Sequence, residues 1–297
     1  MSWNETLKLS RADESKEFKI FEALVSGEIA VPDAVQWTTG TTMDRLESSS
    51  PGSTIEKADA ITFTAILELA MRIDTTLYKP LVEFLRELKL YNAVDSSTGL
   101  VLKMPDGSRV WSHLPSLTIM ARQIWTEHER GQLLCDPGME SEQQIRWAKF
   151  NIFLAQVTQA ADVDYTSTLQ VWISDAMDES HIGLCGLRHV FEESVTPEQL
   201  VSTAGLLGVC YWFICAGERL WENVLNYRKY NKYDGRAGEK YSDRNWRGFE
   251  RERWDVWVQG LQEVEACCAP DQELLKDLID RALSTIERVM NNEKPSS

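Results

Sequence analysis

Residues Thr196 to Asn226, TPEQLVSTAGLLGVCYWFICAGERLWENVLN, decide the fold. Between Glu198 and Glu218 no side chain carries a formal charge, and Leu200, Leu206, Val209, Trp212, Phe213 and Ile214 fall on every face of a helical projection. That is the pattern of a helix enclosed by protein. Its start is marked by Thr196 as the cap, by Pro197, whose missing N–H would be unpaired at the first helical position anyway, and by Gln199, which can reach back to close a capping box. A bilayer crossing needs ~20 apolar residues, but Ser202, Thr203, Gly205, Gly208 and Gly217 dilute this run, and Glu198 and Glu218 bracket it without a basic flank. It is therefore expected to be the central core helix of an all-α protein.

Composition narrows the class around that helix. A chain of 297 residues, 43% hydrophobic and 26% charged, has enough apolar surface for a sizeable core. The net charge of −15 argues against nucleic acid or an anionic membrane as partner, since both call for a positive surface. The N-terminal MSWNETLKLSRADESKEFK lacks the apolar stretch of a secretory signal, so the expected location is cytoplasmic or nuclear. Cys135, Cys185, Cys210, Cys215, Cys267 and Cys268 form no CxxC pair and read as thiols in a reducing compartment.

The remaining helices follow from apolar spacing. A short amphipathic helix is predicted over 14–26, stopped by Gly27. TTGTTMDRLESSSPGST, residues 38–54, has no periodic pattern and reads as a flexible linker, which makes 1–37 an N-terminal helix-bearing segment and 55–291 one helical bundle-like domain, with a polar tail over 292–297. Two antiparallel helices are expected from Phe63, Ile66, Leu67 and Ala70, then from Leu81, Phe84, Leu85 and Leu88. A small β-hairpin is expected around Pro105-Asp106-Gly107, between residues 100 and 111. Further helices are predicted from Pro115, from Ser141 (capped with Gln144 and packed on the central helix), over 165–179, from Trp254 to Cys268, and after Pro270, about nine in all. The two glycines of HIGLCGLRHV predict an irregular segment there.

The runs VWSHLPSLTIMARQIW, WAKFNIFLAQV, AGERLW and above all RERWDVWVQGL resemble the fungal family known as domain of unknown function 3632, over roughly Ile55 to Met290. The resemblance implies a fungal, non-secreted helical protein, sometimes associated with specialised metabolism, and it brings no catalytic residues with it.

Nor do the residues supply any. Asp175, Asp178 and Glu179 have oxygen ligands at a spacing that suits Mg2+, but no second metal motif follows, and they read as a solvated acidic helix end. His181, Cys185 and His189 would share a helix face suited to zinc, but the glycines between them argue against that helix. No metal and no cofactor is predicted. The one constellation with directional charge is 227–255, where nine basic side chains stand against six acidic ones: a local +3 that leaves −18 on the rest of the chain. Within it Arg228, Lys229, Tyr230, Arg244, Arg247 and Trp254 are the candidate ligand or partner surface, Arg offering a planar fork and the aromatics a rigid contact. The function class expected is a non-enzymatic binding or scaffold protein, with an unidentified protein as partner. The alternative is an enzyme or ligand-binding accessory of fungal specialised metabolism, holding an apolar small molecule in a cavity lined by some of the eleven tryptophans.

Overall fold

The computed structural model describes residues 12–47, 54–94, 98–130, 141–165 and 175–292, and of 127–130 and 141 the backbone alone. Among the described residues there are eleven α-helices: α1 Lys16–Ser26, α2 Val31–Glu47, α3 Ile55–Arg72, α4 Tyr78–Leu88, α5 Pro115–Arg130, α6 Ser141–Gln159, α7 Ser180–Phe191, α8 Pro197–Leu200, α9 Ala204–Leu225, α10 Arg251–Cys267 and α11 Glu273–Asn291. The chain is all-α as expected, but it groups into two compact units where one domain was expected: Met1–Glu127 with Ser174–Met177, and His128–Ile173 with Asp178–Ser297.

In the first unit the N-terminal helix is part of the core. Phe18, Phe21 and Leu24 of α1 are buried, Phe21 meets Phe84 of α4 edge-on at 4.9 Å, and Gly27 ends the helix in the left-handed conformation that the sequence signalled (φ 80°). The expected linker is a correction. Residues 38–47 lie in α2, which packs on α1, α3 and α4; 48–53 lie outside the described residues. The physical reason is that Thr38, Thr39 and Thr42 face the core and two of their hydroxyls donate to the helix's own carbonyls, Thr42 to Thr38 at 3.0 Å and Thr39 to Gln36 at 3.1 Å. A buried helix face can thus look polar in sequence. Consequently α3 and α4, expected to be direct neighbours, each pack mainly on α1 and α2. Glu17, completely buried, is clamped by both Arg45 nitrogens at 2.5 and 3.0 Å. Asp59 of α3 is equally buried, and burial raises its carboxyl to about 7 against the opposing pull of the Ser116 hydroxyl and the Trp111 indole. The expected hairpin is reduced to one isolated bridge, Lys103 with Arg109, around a turn at Gly107, and a second isolated bridge joins Val94 with Val101.

In the second unit α9 is the hub, in contact with α6 most extensively and also with α7, α10 and α11. The central stretch is not one helix. The Thr196 capping box forms as read, with Gln199 Oε1 accepting from the Thr196 amide at 3.0 Å, but it opens the short α8. Thr203 then closes one helix and opens the next: its hydroxyl donates to the Leu200 carbonyl at 2.9 Å and accepts from the Leu206 amide at 3.3 Å. Trp212 is fully buried and its indole donates to Asn151 of α6 at 2.9 Å. The irregular segment expected at HIGLCGLRHV is also a correction, because α7 is regular there. A Cβ on Gly183 would stand 2.8 Å from the Trp212 ring, so that glycine permits close packing rather than breaking the helix. The helix predicted over 165–179 falls mostly outside the described residues, and 175–179 is non-helical. The Ser141 cap also lies outside the described side chains. No described helix is long and apolar enough to cross a membrane.

Candidate functional site

The segment between α9 and α10 leaves its helix through an unusual residue. Tyr227 occupies the left-handed region (φ 50°) that closes α9, with the Arg228 amide donating back to the Asn223 carbonyl at 2.9 Å, a position normally taken by glycine. The chain then pairs with its own return leg: the Tyr230 amide donates to Arg247 at 2.7 Å and the Phe249 amide to Arg228 at 2.9 Å. The two legs approach so closely that a Cβ on Gly248 would lie 2.0 Å from the Arg228 carbonyl oxygen.

What fixes this loop is a residue that the sequence reading passed over. Arg253, at the start of α10, is completely buried. Its Nε and Nη2 donate to the two oxygens of the equally buried Glu192 at 2.7 and 3.0 Å, and its remaining N–H groups reach the carbonyls of Gly235, Gly248 and Arg236, each at 2.9 Å. Glu192 also accepts from the Trp257 indole at 2.7 Å and the Gly238 amide at 2.9 Å. Every N–H of the guanidinium has an acceptor, which is how a buried charge is tolerated. A signal existed: Arg253 and Trp257 stand one helical turn apart in RERWDVW, so they meet the same partner. Its identity was hidden, because Glu192 lies 61 residues away, just past a segment read as irregular.

A second buried polar cluster lies at the root of the loop. Arg228 is ion-paired with Asp178, whose other oxygen accepts from the Ser180 amide at 3.0 Å. Ser180 Oγ and the Tyr230 hydroxyl share a hydrogen bond of 2.7 Å, and the Arg228 guanidinium lies 5.3 Å from the Tyr230 ring centre. Burial raises the Tyr230 phenol far above its ordinary range, Arg228 opposing, so it stays protonated. Nearby, Tyr165 donates to Asn223 Oδ1 at 2.6 Å and accepts from Arg219 Nη1 at 3.3 Å.

The six candidate residues therefore do not form one surface. Arg228 and Trp254 are interior; Trp254 packs among Phe213, Trp221 and Trp257 at ring distances of 5.4, 5.1 and 6.3 Å. Tyr230 is half-buried, while Lys229, Arg244 and Arg247 are exposed, Arg244 pairing with Glu252 at 2.9 Å. Also exposed in this segment are Tyr227 (64% exposed), Lys232, Tyr233 (67%), Arg236 and Lys240, none of which was among the six candidates.

The other constellations resolve as packing. Asp178 and Glu179, expected to be solvated, are buried, and Asp175 is ion-paired with Lys89. Although α7 does align His181, Cys185 and His189, no group of three His, Cys, Asp or Glu side chains among the described residues is arranged to hold a metal ion. Cys210, Cys215, Cys267 and Cys268 are free thiols, and burial raises Cys215 to about 11. Trp111, Trp212, Trp254 and Trp257 are fully buried.

No curated protein and no solved structure matches the chain. The model of the family described as "Protein of unknown function (DUF3632)" matches residues 63–261, a narrower span than the resemblance suggested: it takes in Glu192, Arg228, Arg253 and Trp257 and leaves out α1, α2 and α11. That match covers about two thirds of the sequence, and the chain belongs to this family.

Proposed function

We propose that the protein is a non-enzymatic binding or scaffold protein, and that its contact surface is the outer face of residues 227–247. The observation that carries this reading is the Arg253–Glu192 pin, in which a fully bonded, buried ion pair holds the carbonyls of Gly235, Arg236 and Gly248 in place. Such a pin gives little net stability compared with an apolar core, but it fixes a loop in advance of binding, which lowers the entropy lost on contact. The fixed loop turns outward Lys229, Lys232, Arg236, Lys240 and Arg247 with Tyr227 and Tyr233, a basic and aromatic face on a chain of net charge −15. The presence of a tyrosine at a strained left-handed position, with most of its ring in solvent, supports a role for that ring in contact. The partner suited to this face is a protein with an acidic patch. The family resemblance supports a fungal source, and the cytoplasm or nucleus is the location proposed with it.

Reversal of Lys229, Lys232 and Arg247 to Glu tests it. Arg228 is unsuitable for this purpose, since reversal beside Asp178 would disturb folding. The triple variant is expected to keep its stability within about 1 kcal/mol and to lose a partner that purified wild-type protein binds directly after capture from its source organism. Undiminished binding by the variant would overturn the proposal.

A further inference from the structure

Arg219 and Asn223 lie one turn apart on α9 and are both at least nine-tenths buried. Their hydrogen bonds leave a surplus of one kind. Arg219 Nη1 donates to Tyr165 Oη at 3.3 Å and to Glu222 at 2.8 Å, and Nη2 donates to the Ala161 carbonyl, but the buried Nε–H has no acceptor. Asn223 Oδ1 accepts from Tyr165 at 2.6 Å and from Arg228 at 3.3 Å, while its buried Nδ2 amine has no acceptor either. Asp178, the carboxylate paired with Arg228, is already taken: Oδ2 by Arg228 and Oδ1 by the Ser180 amide. The charge is uneven in the same sense, two guanidinium groups facing one buried carboxylate, with Glu222 half in solvent. Buried polar groups without partners are uncommon and point to something that binds there. Water would accept from these donors but would bring two O–H groups into a cluster short of acceptors. A group that only accepts, and carries negative charge, meets both shortages.

We infer that the Arg219–Asn223 corner of the second unit is a binding site for a small oxyanion, a carboxylate or a phosphate, held by Arg219 Nε and the Asn223 amine. The site is independent of the outer loop face, and its test reads binding to the intact chain. Inorganic phosphate and acetate are titrated separately into the wild-type protein by calorimetry, with sodium chloride at matched ionic strength as control. Saturable binding of one or both is expected, the stronger of the two arms identifying the source of the oxyanion. Asn223→Asp replaces the donating amine with a carboxylate oxygen and supplies from the chain the negative charge the ligand would bring, so this variant should melt at a higher temperature than wild type without added anion and should lose the anion response. Lys229, Lys232 and Arg247 reversed to Glu should leave the response unchanged, which separates this site from the proposed partner surface. Absence of saturable binding to the wild-type protein, or an anion response that survives Asn223→Asp, would overturn the inference.

Discussion

The second unit buries arginine at several positions, and two of these clusters differ in how completely the guanidinium is used. Around Arg253 every N–H has an acceptor, and Glu192 in turn is filled by Arg253, Trp257 and Gly238. Around Arg219 and Asn223, donors remain over. A closed cluster has no bonding capacity for anything from outside and acts as a structural pin, whereas an open one keeps capacity for a ligand. The first unit repeats the contrast with carboxylates: Glu17 is clamped by Arg45, and Asp59 is buried with no opposite charge contributing to its ionisation.

The largest effect should come from breaking the closed cluster. Glu192→Ala leaves the Arg253 charge buried and unpaired, and is expected to destabilise the protein by about 3–5 kcal/mol in chemical denaturation. Glu192→Met with Arg253→Met should be less damaging than the single change, since it removes both charges together. Trp212→Ala, which deletes a core ring without touching either cluster, sets the scale for ordinary packing at about 3–5 kcal/mol. A loss below about 0.5 kcal/mol would place Trp212 outside the core.

The carboxylate contrast is sharpened by pH. Asp59 titrates near 3.8 when unfolded and at about 7 when folded, so the folded state binds the extra proton between those values. The stability it contributes is fully present below 3.8 and is lost as pH rises through about 7. Asp59→Asn should therefore remove a decline in stability between pH 4 and 7, leaving a flatter profile in denaturation melts. An unchanged slope in the variant would show that another group carries it. The smallest effect belongs to Tyr227→Gly, which relieves a left-handed tyrosine at the expense of backbone freedom: stability should stay level or rise by up to about 1 kcal/mol, while binding through the loop weakens.

How much of this was legible depends on whether a residue's partner is close in sequence. Leu81, Phe84, Leu85 and Leu88 announce α4 by spacing alone, and all four are buried. The helix α2 was hidden because threonines occupy its core positions, and α7 because Gly183 serves Trp212, a residue on another helix. Thr203 makes the same point locally, its hydroxyl splitting an apolar run that looks continuous by hydropathy. The loop was recognised by charge, but charge does not say which arginine turns inward. Arg228 and Arg253 are buried and Arg247 is exposed, and the difference lies with Asp178 and Glu192, both remote in sequence.

The central claim is that residues 229–249 are held rigid by the Arg253–Glu192 pin, and amide hydrogen exchange tests it most directly. In the wild-type protein the amides of Tyr230, Gly238 and Phe249, each bonded within the unit, should exchange far more slowly than an open loop. In Glu192→Ala they should become fast while α6 and α9 stay protected. Rapid exchange at these amides in the wild-type protein, at the rate of an unstructured chain, would contradict the account.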